Sequence, residues 1–182
     1  RSGARAAAGR GAAEPDRTDG KYGRRRARVW VAGGASMPEI VRTGSARWSG
    51  DLKSGKGAAS TPSGALAEAP YTFASRFEDA ALSNPEELIA AAHAACFSMA
   101  LSNILAGAGH APAEVRTTVT LRMRLDPSGP SIVSSQLQCE GRVPGVSSEE
   151  FQAAVAKAKD GCPVSKLLKP GLETLTCTAR LF

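Results

Sequence analysis

The chain has 182 residues, 42% hydrophobic and 22% charged, which is enough for one domain with a buried core. Aromatic residues make up only 5%, which argues against a base-stacking nucleic-acid platform. The net charge of +6 arises entirely in residues 1–36, which hold nine Lys or Arg and three Asp or Glu, whereas residues 37–182 hold fourteen charges of each sign. The neutral part therefore gives no reason to expect a polyanionic partner.

Residues 1–36 are rich in Arg, Ala and Gly and show no helical or strand period. We interpret them as a disordered basic leader, either vector-derived or translated from upstream of Met37, which begins a Met-Pro-Glu sequence typical of a natural start. A transit peptide and a basic arm are the functional alternatives, and the acidic residues of the segment argue against the transit peptide. The predicted domain comprises residues 37–182. We expect no membrane as partner, because no apolar run approaches the roughly 18 residues of a membrane span.

Residues 41–62 alternate small polar and apolar side chains between glycines, which predicts short strands joined by tight turns. Residues 70–77 alternate clearly and predict a further strand, in which Arg76 projects to the face opposite the aromatic side chains. An Arg on the polar face of a sheet is usually only solvated, so this position alone does not indicate a function.

A long helix is the strongest local prediction. Asn84 suits its N-cap, Pro85 its first position, and Glu87 the position that can close a capping box. No breaker follows before Gly107, so we expect about 22 helical residues over roughly 33 Å. Because the segment carries no charge after Glu87, we expect it to be buried nearly all round, with a partner subunit as a natural cover.

The remainder of the chain predicts two hairpin arms, two short helices and a final strand. The arms cover residues 115–125 and 132–143 around a turn at 126–129, the first helix runs from Ser147 or Ser148 through Lys159, the second from Cys162-Pro163 to Leu168, and the strand covers 172–182. This order lacks the βαβ alternation of a doubly wound fold, so the predicted class is α+β.

The four cysteines are Cys96, Cys139, Cys162 and Cys177. None belongs to a C-x-x-C pair, which argues against a zinc site, and we expect no metal or cofactor. Because no secretory segment is visible, we expect a reducing, cytoplasmic location. There a cysteine is either a small buried hydrophobe or a reactive thiol.

Two of these cysteines lie in positions that allow chemistry without requiring it. Cys96 stands among alanines about three turns into the long helix, where packing is the ordinary role of a cysteine. His93 precedes it by one turn on nearly the same face, although a core histidine with satisfied hydrogen bonds is the simpler interpretation. Cys162 precedes a short helix, whose dipole would favour its thiolate.

Three motifs of this chain resemble the family of osmotically induced protein C (OsmC) and organic hydroperoxide resistance (Ohr) proteins, and they follow one another in the order found in that family. They are the helix sequence from Asn84 to Leu101, the segment from Ala158 to Ser165 around Cys162, and the opening segment from Ala46 to Gly57. The resemblance covers about residues 43–182. His93 and the Phe-Ser-Met run after Cys96 are closer to the OsmC branch than to the Ohr branch.

The resemblance implies an α+β fold in which antiparallel sheets wrap around the long central helix of an intertwined homodimer. It also implies a cysteine-based peroxidase with two sites at the subunit interface. Cys96 matches the peroxidatic cysteine and Cys162 the resolving one, whereas Arg76 and Glu86 match the active-site arginine and the glutamate that pairs with it. The implied partners are an organic hydroperoxide, with hydrogen peroxide left open, and an external dithiol such as that of a lipoyl protein.

The spacing of these residues adds one inference. Ten helical residues separate Glu86 from Cys96, an axial rise of about 15 Å, so one Arg can hardly contact both within one chain. If both contacts exist, one of them comes from the partner subunit. The rival hypotheses are an inactive binding or structural protein on the same fold and a nucleic-acid binder that uses the basic arm. Cys139 and Cys177 match no motif of the family, and we interpret them as structural.

Overall fold

The computed structural model describes residues 39–182, and the predicted basic leader at residues 1–36 lies outside this range. Residues 42–182 form one compact unit. Its strands are β1 (Ser45–Ser49), β2 (Lys56–Ser60), β3 (Ala69–Thr72), β4 (Glu114–Asp126), β5 (Gly129–Arg142) and β6 (Thr174–Leu181). Its helices are α1 (Phe73–Phe77), α2 (Pro85–Gly107), α3 (Ser148–Gly161) and α4 (Pro163–Leu168), followed by a 3₁₀ turn at Lys169–Gly171. The predicted α+β class is confirmed.

The strands form two three-stranded sheets, β1-β2-β3 and β4-β5-β6. The first sheet is antiparallel throughout, and β4 and β5 form the predicted antiparallel hairpin. The expected antiparallel pairing does not extend to β6, which runs parallel to β5. The reason is the connection, because α3 and α4 return the chain to the starting end of β5, as a parallel neighbour requires.

Helix α2 begins where its local signals predict. The side chain of Asn84 accepts the backbone N–H of Glu87 at 2.8 Å, which is one half of the predicted capping box. Its buried residues recur once per turn and are His93, Phe97, Leu101 and Leu105. The expectation of burial all round is wrong for the single chain, since Met99 is 75% exposed. Within residues 39–182 only one side of α2 is covered, chiefly by β4, α3 and α4.

The composition of α2 also corrects an expectation about membranes. By length and apolar composition this helix meets the requirement for a membrane span. It nevertheless carries the pattern of a core helix along its buried stripe, where the His93 side chain has hydrogen-bonding partners on β5 and α4. A core helix passes the same test of length and composition, so this finding is weak evidence for a span.

The segment around Arg76 is helical, which corrects the predicted strand over residues 70–77. Strand β3 ends at Thr72, whose side chain accepts the Ser75 N–H at 3.1 Å while the Ser75 hydroxyl accepts the Thr72 N–H at 3.0 Å. This capping box begins α1 and stacks Phe73 against Phe77, with ring centroids 4.9 Å apart. Local side-chain hydrogen bonds thus override the alternating pattern of the strand.

The core lies where α2, α3 and the second sheet meet. Phe151 of α3 and Leu137 of β5 are fully buried there, beside Phe97 of α2. Gly141 of β5 leaves room for the Phe151 ring, because a Cβ atom at this position would lie 2.7 Å from that ring. Ser147, one of the two predicted caps of α3, forms the capping box. This core fixes α3, and α3 in turn leads the chain into Cys162 and α4.

Candidate active site

The structure brings Cys96 and Cys162 together where α2 meets α4. Their thiols lie close enough that each alters the pKa of the other, and neither cysteine is in a disulfide. Cys162 is fully buried and caps α3 and α4 at once. Its backbone N–H donates to the carbonyl of Ala158 at 2.8 Å, and its carbonyl accepts the N–H of Lys166 at 3.0 Å. Two helix ends therefore hold this sulfur against Cys96, and we refer to Cys96 and Cys162 as the thiol half-site.

The two thiols differ in acidity within one chain. Burial raises the pKa of the Cys96 thiol, and the neighbouring Cys162 raises it further, whereas the Val164 N–H acts in the opposite direction. Burial also opposes ionisation of Cys162, but donors around its sulfur outweigh burial and leave its pKa lowered. These donors are the N–H of Ser165, the Cys96 thiol, the Ser165 hydroxyl and the N–H of Val164. Cys96 has no such set of donors, so it needs a cation to become a thiolate near neutral pH.

Arg76 and Glu86 form a separate pair, the arginine half-site. Arg76 Nη2 donates to Glu86 Oε1 at 2.8 Å, and Arg76 Nε donates to the same oxygen at 3.1 Å. The Arg76 guanidinium also lies over the ring of Phe77, with Cζ 5.0 Å from the centroid. Glu86 stands in the first turn of α2, where the helix dipole favours a carboxylate. The guanidinium is thus held in a fixed orientation while its side chain remains 37% exposed.

The four predicted site residues therefore fall into two pairs. Glu86 and Cys96 stand ten residues apart on one straight element, which places them about 15 Å apart along its axis. Arg76 is engaged at the Glu86 end. The pKa of the Cys96 thiol shows no influence from any basic side chain of residues 39–182. The arginine half-site therefore does not reach the thiol half-site of its own chain.

A cavity of about 250 Å³ opens beside the arginine half-site. Its walls are mostly apolar and aromatic and are formed by Trp48, Leu52, Tyr71, Thr72, Phe73, Arg76, Phe77 and Pro85. The Trp48 and Tyr71 rings lie 5.5 Å apart, and Tyr71 covers Gly57 so closely that a Cβ atom there would lie 2.3 Å from the ring. Sequence reasoning missed this cavity. The glycine opposite an aromatic residue was its only signal, because Gly is favoured where another group approaches the backbone closely.

His93, whose role the sequence left open, lies fully buried beside the thiol half-site. Its Nδ1 lies 3.0 Å from the Ser135 hydroxyl of β5, and its Nε2 lies 2.8 Å from the Ser165 hydroxyl of α4. Burial lowers the pKa of His93, which favours the neutral imidazole. Sequence reasoning missed both serines, because they stand 42 and 72 residues from His93 and no motif connects them.

The other two cysteines lie on neighbouring strands of the second sheet. Burial raises the pKa of the Cys139 thiol and raises that of Cys177 to about 11. Thiols of this kind stay protonated near neutral pH and are poor nucleophiles. Both positions therefore fit a structural role.

Known proteins share both the sequence and the fold of this chain. Residues 78–175 match the family model described as OsmC-like protein. Peroxiredoxin OsmC of Escherichia coli is 48% identical over 130 residues, which cover 71% of this chain and 91% of that protein. An organic hydroperoxide resistance protein from Elizabethkingia anophelis superposes with a TM-score of 0.58 at 26% identity, over 79% of this chain and all of that one. The protein OhrB of Bacillus subtilis shares the fold with a TM-score of 0.59 at 22% identity, over 76% of this chain and 98% of that one. The chain therefore belongs to the OsmC-like protein family, as its three motifs predicted.

Proposed function

We propose that this chain is a thiol peroxidase that reduces organic hydroperoxides, with Cys96 as the attacking thiolate and Cys162 as the resolving thiol. A redox function connected with hydroperoxides is supported by the family and by the names of its relatives, Peroxiredoxin OsmC and organic hydroperoxide resistance protein. The observation that carries the proposal is the proximity of the two thiols, each of which alters the pKa of the other. A disulfide between them would be the product of the resolving step.

In the proposed reaction the Cys96 thiolate attacks one oxygen of the hydroperoxide. The S–O bond forms as the O–O bond breaks, and the departing alkoxide takes up a proton to become an alcohol. Cys96 is left as a sulfenic acid, which Cys162 converts to a disulfide with release of water. An external dithiol then returns both cysteines to thiols and so supplies the two electrons that the peroxide consumed.

We infer that Arg76 of one chain serves Cys96 of a second copy in a homodimer. The partly buried Cys96 thiol needs a cation, and Arg76 of its own chain is held about 15 Å away at Glu86. A guanidinium placed beside the sulfur would lower its pKa and stabilise the charge that develops on the departing oxygen. Glu86 would hold the guanidinium in the required plane through its two contacts.

The surface of α2 supports the same dimer. Beyond Glu87 the helix has no charged side chain, yet the described part of one chain covers only one side of it and leaves Met99 75% exposed. Covering such a surface with a second copy contributes about 25 cal/mol for each Å² of apolar area that is buried. An obligate homodimer has an interface of this apolar kind.

The aromatic cavity beside Arg76 favours a peroxide with an organic group, because its walls would contact that group while the guanidinium meets the peroxide oxygens. We propose an external dithiol as reductant, with a lipoyl protein as one candidate, and a cytoplasmic location. Hydrogen peroxide would lack the contacts with the cavity walls, so we expect it to be the poorer substrate.

Peroxide consumption in the presence of dithiothreitol tests the proposal. We expect turnover of cumene hydroperoxide by the unaltered protein, slower turnover of hydrogen peroxide, and none by the Cys96→Ser variant. Cys177→Ser is the matched control and should retain activity, because burial raises the pKa of that thiol to about 11 and neither Cys96 nor Cys162 contributes to the shift. A folded, unaltered protein that consumes neither peroxide would favour an inactive binding or structural protein of the same fold.

A further inference from the structure

A buried hydrogen bond joins His93 to Ser165, which lies beside Cys162 of the thiol half-site. The imidazole Nε2 lies 2.8 Å from the Ser165 hydroxyl. Ser165 stands in the first turn of α4, three residues after its cap Cys162, and its hydroxyl lowers the pKa of the Cys162 thiol. His93 is fully buried and Ser165 is 1% exposed, so solvent does not compete for these contacts. On its other side the ring is fixed by Ser135, at 3.0 Å from Nδ1. Ser165 is thus shared between an imidazole and the proposed resolving thiol.

The single proton of the Ser165 hydroxyl allows two arrangements of hydrogen bonds around it. When Cys162 is a thiol, its S–H can donate to Ser165 Oγ while the Ser165 hydroxyl donates to Nε2 of His93. When Cys162 is a thiolate, the direction reverses. Nε2–H of His93 then donates to Ser165 Oγ, and the Ser165 hydroxyl donates to the sulfur. Both arrangements satisfy every polar group, so the contacts that are present serve both ionisation states of Cys162.

We propose that Ser165 and His93 form a proton relay for the resolving step, with Ser165 as a catalytic residue and His93 as the positioning residue behind it. This inference rests on the proposed peroxidase function. It concerns only the second half of the reaction, the conversion of the Cys96 sulfenic acid to a disulfide. A histidine that acted only in packing would not need a hydroxyl partner that also contacts the resolving sulfur.

The bonds and protons of this resolving step balance without a further reactant. As Cys162 attacks the Cys96 sulfenic acid, its thiol proton passes to Ser165 Oγ and the Ser165 proton passes to Nε2 of His93. The S–S bond forms, and the S–O bond of the sulfenic acid breaks with its electron pair on the hydroxide. The proton on His93 returns through Ser165 to that hydroxide, and water leaves. His93 ends neutral, the state that its burial favours.

A rapid-quench experiment separates the two halves of the reaction. Reduced protein is mixed with one equivalent of cumene hydroperoxide and quenched with dimedone, and mass spectrometry follows the sulfenic acid and the Cys96–Cys162 disulfide in time. In Ser165→Ala we expect sulfenic acid to form within about twofold of the normal rate and the disulfide to form about 10- to 100-fold more slowly. Ser165→Thr keeps a hydroxyl and should restore most of the lost rate.

His93→Gln tests the relay against a structural role. Glutamine can hold the Ser165 hydroxyl through a hydrogen bond but cannot take up a proton, so disulfide formation should be slowed as in Ser165→Ala. Ser98→Ala is the matched control, because it removes a 2.8 Å hydroxyl contact between α2 and Thr117 of β4 that does not involve either thiol. That variant should keep both rates.

The possible outcomes distinguish this inference from the proposed function. Normal disulfide formation in His93→Gln or in Ser165→Ala would overturn the relay while leaving the peroxidase function intact. Equal slowing of both steps, or failure of Ser165→Thr to recover, would show that these residues act only in folding. The absence of any sulfenic acid in the unaltered protein would overturn the proposed function and the relay with it.

Discussion

The thiol half-site and the arginine half-site are opposite in character. Cys162 is fully buried among neutral hydrogen-bond donors, whereas Arg76 is 37% exposed and bound to a carboxylate. The first half-site holds a nucleophile whose pKa burial has raised, and the second holds the cation that would lower it. Because α2 keeps them about 15 Å apart, each lacks what the other supplies. This difference indicates that the working unit is two chains.

The largest expected effect distinguishes the two members of the thiol half-site. Cys96→Ser should abolish the first turnover, because a serine hydroxyl is not ionised near neutral pH. Cys162→Ser should still reduce one equivalent of peroxide and leave a sulfenic acid on Cys96 that dimedone traps. Single-turnover assays followed by mass spectrometry measure both. Loss of the first turnover in both variants alike would mean that the roles are misassigned. The comparison is informative because the pKa of Cys162 is lowered and that of Cys96 is raised within one chain.

The next effect concerns the arginine half-site. Arg76→Lys keeps the charge but loses the planar fork that contacts Glu86, so we expect a loss of about 10- to 100-fold in kcat/KM for cumene hydroperoxide. Arg47→Lys is the matched control, because Arg47 also forms a forked pair, with Glu68, at an exposed position. It should leave kcat/KM unchanged. Near-normal kinetics in Arg76→Lys would mean that Arg76 is a surface residue without a role in the reaction.

A pH profile tests whether Arg76 of the arginine half-site lowers the pKa of the Cys96 thiol. Burial raises the pKa of Cys96, so removal of the cation in Arg76→Ala should leave little thiolate at neutral pH. The rate of sulfenic acid formation in this variant should therefore climb as the pH rises, and its midpoint should lie above that of the unaltered protein. Stopped-flow measurement of the first turnover gives both profiles. Superimposable profiles would mean that Arg76 does not act on the Cys96 thiol.

The smallest effect tests packing beneath the thiol half-site. An added methyl group in Gly141→Ala would lie 2.7 Å from the Phe151 ring, and overpacking of this kind costs about 1–3 kcal/mol in the free energy of unfolding. We expect a lower Tm by thermal denaturation. Gly161→Ala is the control, because an added Cβ there meets no atom within 4 Å, and it should leave Tm unchanged or slightly higher. An equal Tm for both variants would mean that the Phe151 ring moves aside without a loss of stability.

Local signals account for the parts of the fold that could be predicted. Asn84 and Pro85 mark the start of α2 by themselves, and the turn at residues 126–129 defines the hairpin. The parallel pairing of β6 could not be predicted, because it depends on the path of α3 and α4 rather than on the residues of the strand. The predicted strand at residues 73–77 was wrong for a different reason. Phe73 and Phe77 fit both an alternating strand and one turn of helix, and the Thr72 capping box decides between them.

The candidate site, like the fold, could be predicted only in part from the sequence. Its four main residues could be named from motifs, and the 15 Å between Glu86 and Cys96 follows from helix geometry alone. The contact between His93 and Ser165 could not be named, since it joins residues 72 positions apart that meet only when α4 packs on α2. The exposure of Met99 could not be foreseen either, because a uniformly apolar helix does not reveal which of its sides the chain itself covers.

Subunit mixing tests most directly whether one site is built from two chains. Inactive Cys96→Ser and inactive Arg76→Ala proteins are unfolded, mixed in equal amounts and refolded together. If Arg76 acts across the interface, each mixed dimer has one intact site and one doubly defective site. Random pairing then restores about one quarter of the normal activity with cumene hydroperoxide. No recovery, despite mixed dimers demonstrated by native mass spectrometry, would contradict a shared site, and so would a fully active monomer.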